Sequence, residues 1–450
     1  MATKVETGGT LDQYFRLSER GTTVSTEIRA GITTFMVMAY IIFVNSGILS
    51  AAGYDAVAVA TATALIAGVL TIAMGVISNF PLAMAAGLGI NGAVAFGLVL
   101  SQGLTPAGAM GVIVLEGIVV TVLVVAGFRE AVMNAVPMAL KRAIGVGIGL
   151  FILFIGFVNG GLIQTPEGGA VPVSFVFPNS AGAAVTLIGL LITIALWVKK
   201  VPGALLLSIL LTTVVALILG VQTLPESFTV SPSFASLGDF DLGNVFATLG
   251  LLTALLTIFS FMLTDFFDTM GTATAIAEQA GLADEDGNIE DIGKLLLVDS
   301  LGAIAGGLGG VSSNTSYIES GAGVAEGGKT GLTAVVTGVL FLLAMIIAPI
   351  AGIIPAQATA PVLIFVGFLM TGLLKGIDFE DVEEGLPALL TMILMPLTYS
   401  ITVGIGAGFV THVVVKVFRG KTREIPILMW IVAASFLVYF AQELLGGVAA

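Results

Sequence analysis

Apolar residues fall along this chain in blocks of about twenty, the length that crosses a bilayer as a helix, and short polar stretches separate them. Residues 1–29 are polar, and the first apolar run follows at 30–49. Further spans are expected at 57–77, 82–100, 106–126, 138–160, 180–198 and 203–220, giving seven in the first half. A second seven falls at 246–272, 292–310, 312–327, 330–353, 358–374, 385–399 and 401–418. The last two are short and nearly contiguous. They read as a hairpin that crosses only in part, or as one long helix bent near Pro396. A final apolar run, Ile425 to Leu445, is a fifteenth segment that crosses, lies at the interface or packs on the bundle.

Composition supports that reading: 57% of residues are hydrophobic, 10% are charged and mean hydropathy is +1.10, so no charged globule surface can be built. Charge then orients the spans. With an interior N-terminus and fourteen crossings, Arg129, Lys141, Arg142, Lys199, Lys200, Lys294, Lys329 and Lys375 fall in interior loops, and Lys416, Arg419, Lys421 and Arg423 in the tail. Together with Lys4, Arg16, Arg20 and Arg29 these are all 16 Lys and Arg residues, while the exterior loops hold Asp55, Glu167, Glu226, Asp239 and Asp241. Cations stay on the cytoplasmic side, so a multi-pass plasma-membrane protein with a cytoplasmic N-terminus is expected. No short apolar region with an A-x-A-like cleavage site precedes the first span, so no cleaved signal peptide is read. A net charge of -13 argues against nucleic acid as a partner. The absence of cysteine excludes disulfides, thiolate metal sites and cysteine nucleophiles. No metal site and no cofactor motif is read.

Seven spans followed by seven places the second half in the opposite orientation, the parity of an inverted-repeat transporter. The third span of each half is interrupted. Asn79-Phe80-Pro81 leads to Gly87-Leu88-Gly89-Ile90-Asn91-Gly92, and Gly306 to Gly310 leads to Val311-Ser312-Ser313-Asn314-Thr315-Ser316-Tyr317-Ile318-Glu319. Broken backbone inside a membrane is tolerated only where it lines a cavity, so both breaks point to a substrate site. Each break is expected to supply a half-helix whose N-terminal N–H groups aim at the midplane.

The acids sharpen this. Asp265 and Asp268 lie three apart, on one face if the segment is helical, and Asp268 precedes the next charge, Glu278, by ten residues. At ~1.5 Å per residue that places Asp268 roughly 15 Å from the polar end, near a midplane, where an acid is costly and marks function by default. The competing reading is a helix that ends early and leaves both acids in cytosolic water. Glu319 has the same alternative, exposure near Glu326 and Lys329. Asn91 suits substrate binding and capping of the half-helix after Gly89, two compatible roles. Glu116 and Asp299 read as helix–helix hydrogen-bonding residues, and His412 as interfacial. Gly87 to Gly92 matches G-x-G-x-x-G, but with no βαβ unit and no acid about 20 residues on, the match is by chance. The sequon Asn314-Thr315-Ser316 lies within the bilayer and is discarded. Asp284-Glu285-Asp286-Gly287-Asn288 lacks EF-hand spacing and reads as a solvated acidic loop. No intramembrane enzyme motif is present.

Acids and an Asn converging between broken helices describe transport of a small polar solute coupled to a cation or proton. A carboxylate removed from water holds a proton more tightly and releases it when rehydrated, the chemistry of a proton symporter. A planar heterocycle with N–H donors suits such acceptors, whereas an anion suits them badly.

Leu11 to Phe15, Gly31 to Met36, Thr264 to Thr272 and Asn314 to Ser320 resemble the AzgA-like purine permeases of the nucleobase-ascorbate transporter superfamily. The resemblance covers nearly the whole chain. It implies an all-α polytopic fold of the uracil-permease type, a 7+7 inverted repeat whose spans 3 and 10 are each a short strand plus a half-helix. It also implies a core domain at 30–126 and 244–353 and a gate domain at 127–220 and 354–418. Around these lie a cytoplasmic tail at 1–29, an extracellular linker at 221–243, and a basic linker with an apolar segment at 419–450. Uptake of hypoxanthine, guanine or adenine with protons is implied, with sodium as the other coupling ion and xanthine, uracil or an anion as the alternative substrates. A homodimer through the gate domain is left open. By motif position the binding roles fall on Asn91, Asp265, Asp268 and Glu319. Asp268 and Glu319 are expected to contact purine, and Asp265 to orient it or carry the proton, although all three acids are proton-coupling candidates. Gly89, Thr315, Ser316 and Phe267 are expected to line the cavity. Where the family usually has Pro and aromatic residues around the Asn, this chain has Ala86, Gly92, Ala93 and Val94, leaving Phe96 or Phe267 to stack on the substrate.

Overall fold

The computed structural model describes residues 9–127, 136–164, 173–175, 180–224, 231–283, 289 and 291–446. Lys4, Arg129, Glu167, Glu226 and the acidic loop 284–288 lie outside the described residues. Each expected span contains helical structure, though 312–327 holds only the short helix Ser320–Ala325 after a strand, and among the described residues nine helices are long and apolar enough to cross a membrane.

A short helix α1 (Thr10–Phe15) precedes the first span, which is two helices, α2 (Val24–Met38) and α3 (Ile41–Ser50), joined at Ala39 and Tyr40. Helix α4 (Ala56–Ser78) leads to strand β1 (Met84–Ala86), the half-helix α5 (Leu88–Gly92) with its π-helical extension (Ala93–Ser101), and α6 (Pro106–Val125). Helix α7 (Met138–Asn159) and a small hairpin of β2 (Ile163–Gln164) and β3 (Ser174–Phe175) precede α8 (Ala181–Val198) and α9 (Ala204–Ile218). The second half runs α10 (Leu242–Ala280), α11 (Ile292–Leu308), β4 (Asn314–Ser316), α12 (Ser320–Ala325), α13 (Gly331–Ala344), α14 (Ala356–Met370), α15 (Val382–Thr398), α16 (Ile401–Phe418) and α17 (Ile427–Gly446). Polar residues that interrupt the apolar blocks begin the helices: Thr23, Asp55, Thr105, Ser180, Asp241, Thr330 and Ser400 each accept a first-turn backbone N–H.

The competing reading of α10 is overturned. The helix continues to Ala280, well past both acids, with one kink at Gly250, whose φ of 72° only glycine adopts readily. The pair 385–399 and 401–418 is a hairpin of two packed helices, not one bent helix. Tyr399 turns the chain in the left-handed region and Ser400 caps α16. The C-terminal run packs on the bundle, with Phe436 against Gly406 and Phe409 of α16.

Helices α2 to α6 pack mainly with α10 to α13, and α7 to α9 mainly with α14 to α16. Small residues allow the closest crossings. A Cβ on Gly338 of α13 would sit 2.6 Å from the Gly68 carbonyl of α4, so no larger residue fits that approach. Glu27 ties α2 to the start of α13. Its carboxylate is fully buried and accepts from the Lys329, Thr330 and Thr333 backbone N–H groups and from both threonine hydroxyls, at 2.6–3.2 Å. A negative group meeting the unpaired N–H groups of a helix start is favoured twice, by hydrogen bonding and by the helix dipole.

At the centre the two interrupted spans meet. Strands β1 and β4 pair antiparallel with Met84 opposite Ser316, Ala85 opposite Thr315 and Ala86 opposite Asn314. The pairing is extended by Tyr317 N–H to Ala83 O at 2.9 Å and Gly87 N–H to Ser313 O at 2.8 Å. Backbone groups that would otherwise be unpaired inside a membrane thus satisfy one another.

Candidate functional site

Beside this crossing lies a cavity of about 600 Å³, within the size range of small-molecule sites. Its walls include Gly87 to Ile90 from α5, Thr315 to Glu319 from the second break, one stripe of α10, and Lys141, Ile144 and Ile148 from α7. On α10 the stripe is Thr264, Phe267, Asp268, Gly271, Thr272 and Ala275, a helical repeat that turns one face to the cavity. Asp268 is exposed to the cavity and Glu319 is half-buried in its wall. Tyr40, at the joint between α2 and α3, donates its hydroxyl to Glu319 Oε1 at 2.7 Å. Lys141 Nζ stands 5.4 Å from the centre of the Phe267 ring.

The expected site residues divide into two groups. Phe267, Asp268, Glu319, Gly89, Thr315 and Ser316 all line the cavity. Asn91 and Asp265 are fully buried and are not among the lining residues. Asp265 falls just past the edge of the α10 stripe and turns towards α6, so the two acids three residues apart serve different surroundings. The capping role for Asn91 is overturned. Gly87 is the N-cap of α5, Asn91 lies inside the helix, and among the described residues neither of its side-chain polar atoms has a hydrogen-bond partner. Of the two aromatic candidates Phe267 lines the cavity, while Phe96 packs towards Tyr399 with ring centres 6.1 Å apart.

Asp299 goes beyond the helix–helix role expected of it. It accepts the Thr269 hydroxyl at 2.6 Å, bridging α11 to α10, and also the Ser316 N–H at 3.0 Å and hydroxyl at 2.8 Å. It therefore holds β4 in place. In the first half Thr71 of α4 does the corresponding work, accepting the Met84 N–H at 2.9 Å and donating to the Met84 carbonyl at 3.1 Å. Met84 and Ser316 face each other in the strand pair, so each half clamps its own strand at matching positions. Glu116 departs from its expected role: among the described residues neither of its oxygens has a hydrogen-bond partner. His412 is buried, 6% exposed, beside Glu383 and Lys416. Tyr40 and Lys141 were not found as site residues from sequence. The one local signal for Tyr40 was a hydroxyl within the first apolar run.

Residues 25–407 match the model of the Permease family. The chain belongs to that family. This permease is 40% identical over 431 residues to the adenine permease AdeQ of Escherichia coli, covering 95% of each chain. It is 38% identical over 441 residues to the guanine/hypoxanthine permease PbuG of Bacillus subtilis, covering 95% of this chain and 98% of the relative. The resemblance read from Thr264 to Thr272 and Asn314 to Ser320 is borne out, and the protein is a transporter, not an enzyme. Among solved structures, the permease overlays on the transmembrane domain of the cyanobacterial bicarbonate transporter BicA with a TM-score of 0.63, at 17% identity and covering 85% and 97% of the two chains. Murine Slc26a9 in its inward-facing state gives 0.61 at 11% identity, covering 93% and 74%. At such identities the likeness is one of fold, and it bears out the 7+7 inverted repeat with two broken spans.

Proposed function

We propose that this permease imports the purine nucleobases adenine, guanine and hypoxanthine across the plasma membrane by proton symport, with its N-terminus in the cytoplasm. The observation that carries the reading is the cavity in which Asp268 and Glu319 stand beside Phe267 and the backbone of both breaks. Purines present N–H donors on a flat aromatic frame. The two carboxylates accept from those donors, Phe267 offers a face or edge for stacking, and the backbone of the breaks serves the ring nitrogens and exocyclic groups. The relatives AdeQ and PbuG, named for adenine and for guanine and hypoxanthine, support the same class. Asp265 and Asn91, behind the cavity wall, act on the site by positioning it or by carrying the proton.

Transport then proceeds by movement of a core, 30–126 with 244–353, against a gate, 127–220 with 354–418. The packing of α2 to α6 with α10 to α13 supports this division, and both acids that line the cavity, Asp268 and Glu319, lie in that unit. A homodimer joined through the gate would hold the other unit still.

The test is uptake of radiolabelled hypoxanthine, guanine and adenine in cells lacking their own purine permeases, repeated with Asp268→Asn, Glu319→Gln and a protonophore. Uptake is expected to fall to background in both variants and to collapse with the protonophore. Normal uptake in both variants would refute the site. Competition by xanthine, uracil or bicarbonate with no competition by any purine would transfer the site to another solute.

A further inference from the structure

Glu116 has no place in the cavity, yet it is a fully buried carboxyl in the middle of α6. Across the contact between α6 and α10 it faces the carboxyl of Asp265, which is also fully buried. Among the described residues none of the four oxygens of the pair has a hydrogen-bond partner in bonding geometry. The Ser313 hydroxyl, also fully buried and without a partner of its own, is turned towards Asp265 from the second break. The other titratable groups bearing on the pair are acids: Asp299 of α11 and Asp268 one turn along α10. The π-helical segment Ala93–Ser101, which also packs on α6, carries no titratable residue.

Apart from the Ser313 hydroxyl turned towards Asp265, no donor stands at the pair among the described residues. Ionised carboxylates only accept, so two of them facing each other in an apolar interior leave their lone pairs unsatisfied and their charges opposed. A single proton between them removes both faults, because a protonated carboxyl donates to its ionised neighbour. Structural acids in this protein look different: Glu27 has five donors and Asp299 has three. We infer that Glu116 and Asp265 form a carboxyl pair that shares one proton and that this pair, set behind the cavity, holds the proton carried with the substrate. The inference rests on the proton-symport reading and deepens it by placing the proton on a pair that the purine does not touch. Asp268, open to the cavity and one turn from Asp265, lies on the side from which the proton arrives. The proton enters with Asp268 facing outward and leaves when the cavity opens inward. Asp299, held by its own three donors, stays a positioning residue for β4.

The full-length protein is reconstituted in liposomes containing a pH-sensitive dye, and hypoxanthine is added outside. The wild type is expected to acidify the lumen as purine enters. With one proton per purine it should accumulate purine about tenfold across a gradient of one pH unit, since each unit is a factor of ten. Glu116→Gln supplies an amide N–H to Asp265 permanently and has no proton to give up. It is expected to keep purine-for-purine exchange within about threefold while losing acidification and accumulation, and Glu116→Asp is expected to restore both. Acidification per purine unchanged in Glu116→Gln overturns the inference, and so does loss of exchange in a Glu116→Gln protein that still binds hypoxanthine. If Glu116→Gln does not fold, infrared spectra of the wild type and Glu116→Asp decide. A protonated-carboxyl C=O band at neutral pH that shifts in Glu116→Asp supports the pair, and its absence or an unshifted band overturns it. A wild type that moves purine without acidification refutes proton symport itself, while the infrared band still judges the pair.

Discussion

Tyr40→Phe removes a single oxygen from a ring that is fully buried, so it leaves the apolar packing at the α2–α3 joint in place. What it takes away is the hydrogen bond from the hydroxyl to Glu319 Oε1, at 2.7 Å the only side-chain donor recorded to that carboxyl among the described residues. A hydrogen bond to a charged group contributes about 1.5–3 kcal/mol net. If Glu319 must be held in one rotamer to accept a purine N–H, most of that energy now has to come from the ligand on binding. At 1.4 kcal/mol per factor of ten, the hypoxanthine Kd is expected to rise roughly 10- to 100-fold. Maximal uptake at saturating substrate should change far less, because the missing group touches the acceptor and not the moving surfaces. Equilibrium binding to purified protein measures the Kd directly, and the melting temperature in detergent verifies that the variant is folded. A folded Tyr40→Phe protein that binds hypoxanthine within about twofold of wild type would refute the reasoning, and with it the idea that Glu319 is pre-oriented for substrate.

Glu27→Gln should lower stability by about 3 kcal/mol or more, because an amide offers one acceptor oxygen to five donors and turns its own N–H₂ towards the start of α13. Thermal melting of the purified protein reads this, and an unchanged melting temperature would refute the account of Glu27. Gly92→Val adds bulk where even a Cβ would sit 2.9 Å from Ile155 Cδ1 of α7. Overpacking of about 1–3 kcal/mol at the surface between the two helix groups should slow uptake about tenfold with hypoxanthine binding retained, and an unchanged uptake rate would count against sliding at this surface.

Much of the architecture was legible in the chain because a bilayer imposes local rules. Apolar blocks of spanning length marked fourteen segments, and each contains helical structure. Acids within such a block are costly, so Asp265, Asp268 and Glu319 stood out without any partner being known. The same cost explains why Gly-rich and polar breaks were readable as the two interrupted spans. The hairpin at α15 and α16 was less legible, since its turn depends on Tyr399 adopting a left-handed conformation that Pro396, the more conspicuous signal, does not demand.

What the chain determined by itself is therefore the solvent of each segment: which stretches sit in lipid, which ends face water, and which polar residues lack a local reason to be buried. Only the tertiary structure decided who meets whom. Tyr40 and Glu319 are 279 positions apart, and no period in the sequence links them. Met84 and Ser316 pair because the two halves cross, and that crossing brings the residues held by Thr71 and by Asp299 opposite each other in one strand pair. Asp265 and Asp268 share a helix and nearly a face, yet a small rotation about the axis sends one to the cavity and the other to Glu116. Helical periodicity places a residue on a face to within about 100°, and packing against α6 decides on which side of that edge each acid falls.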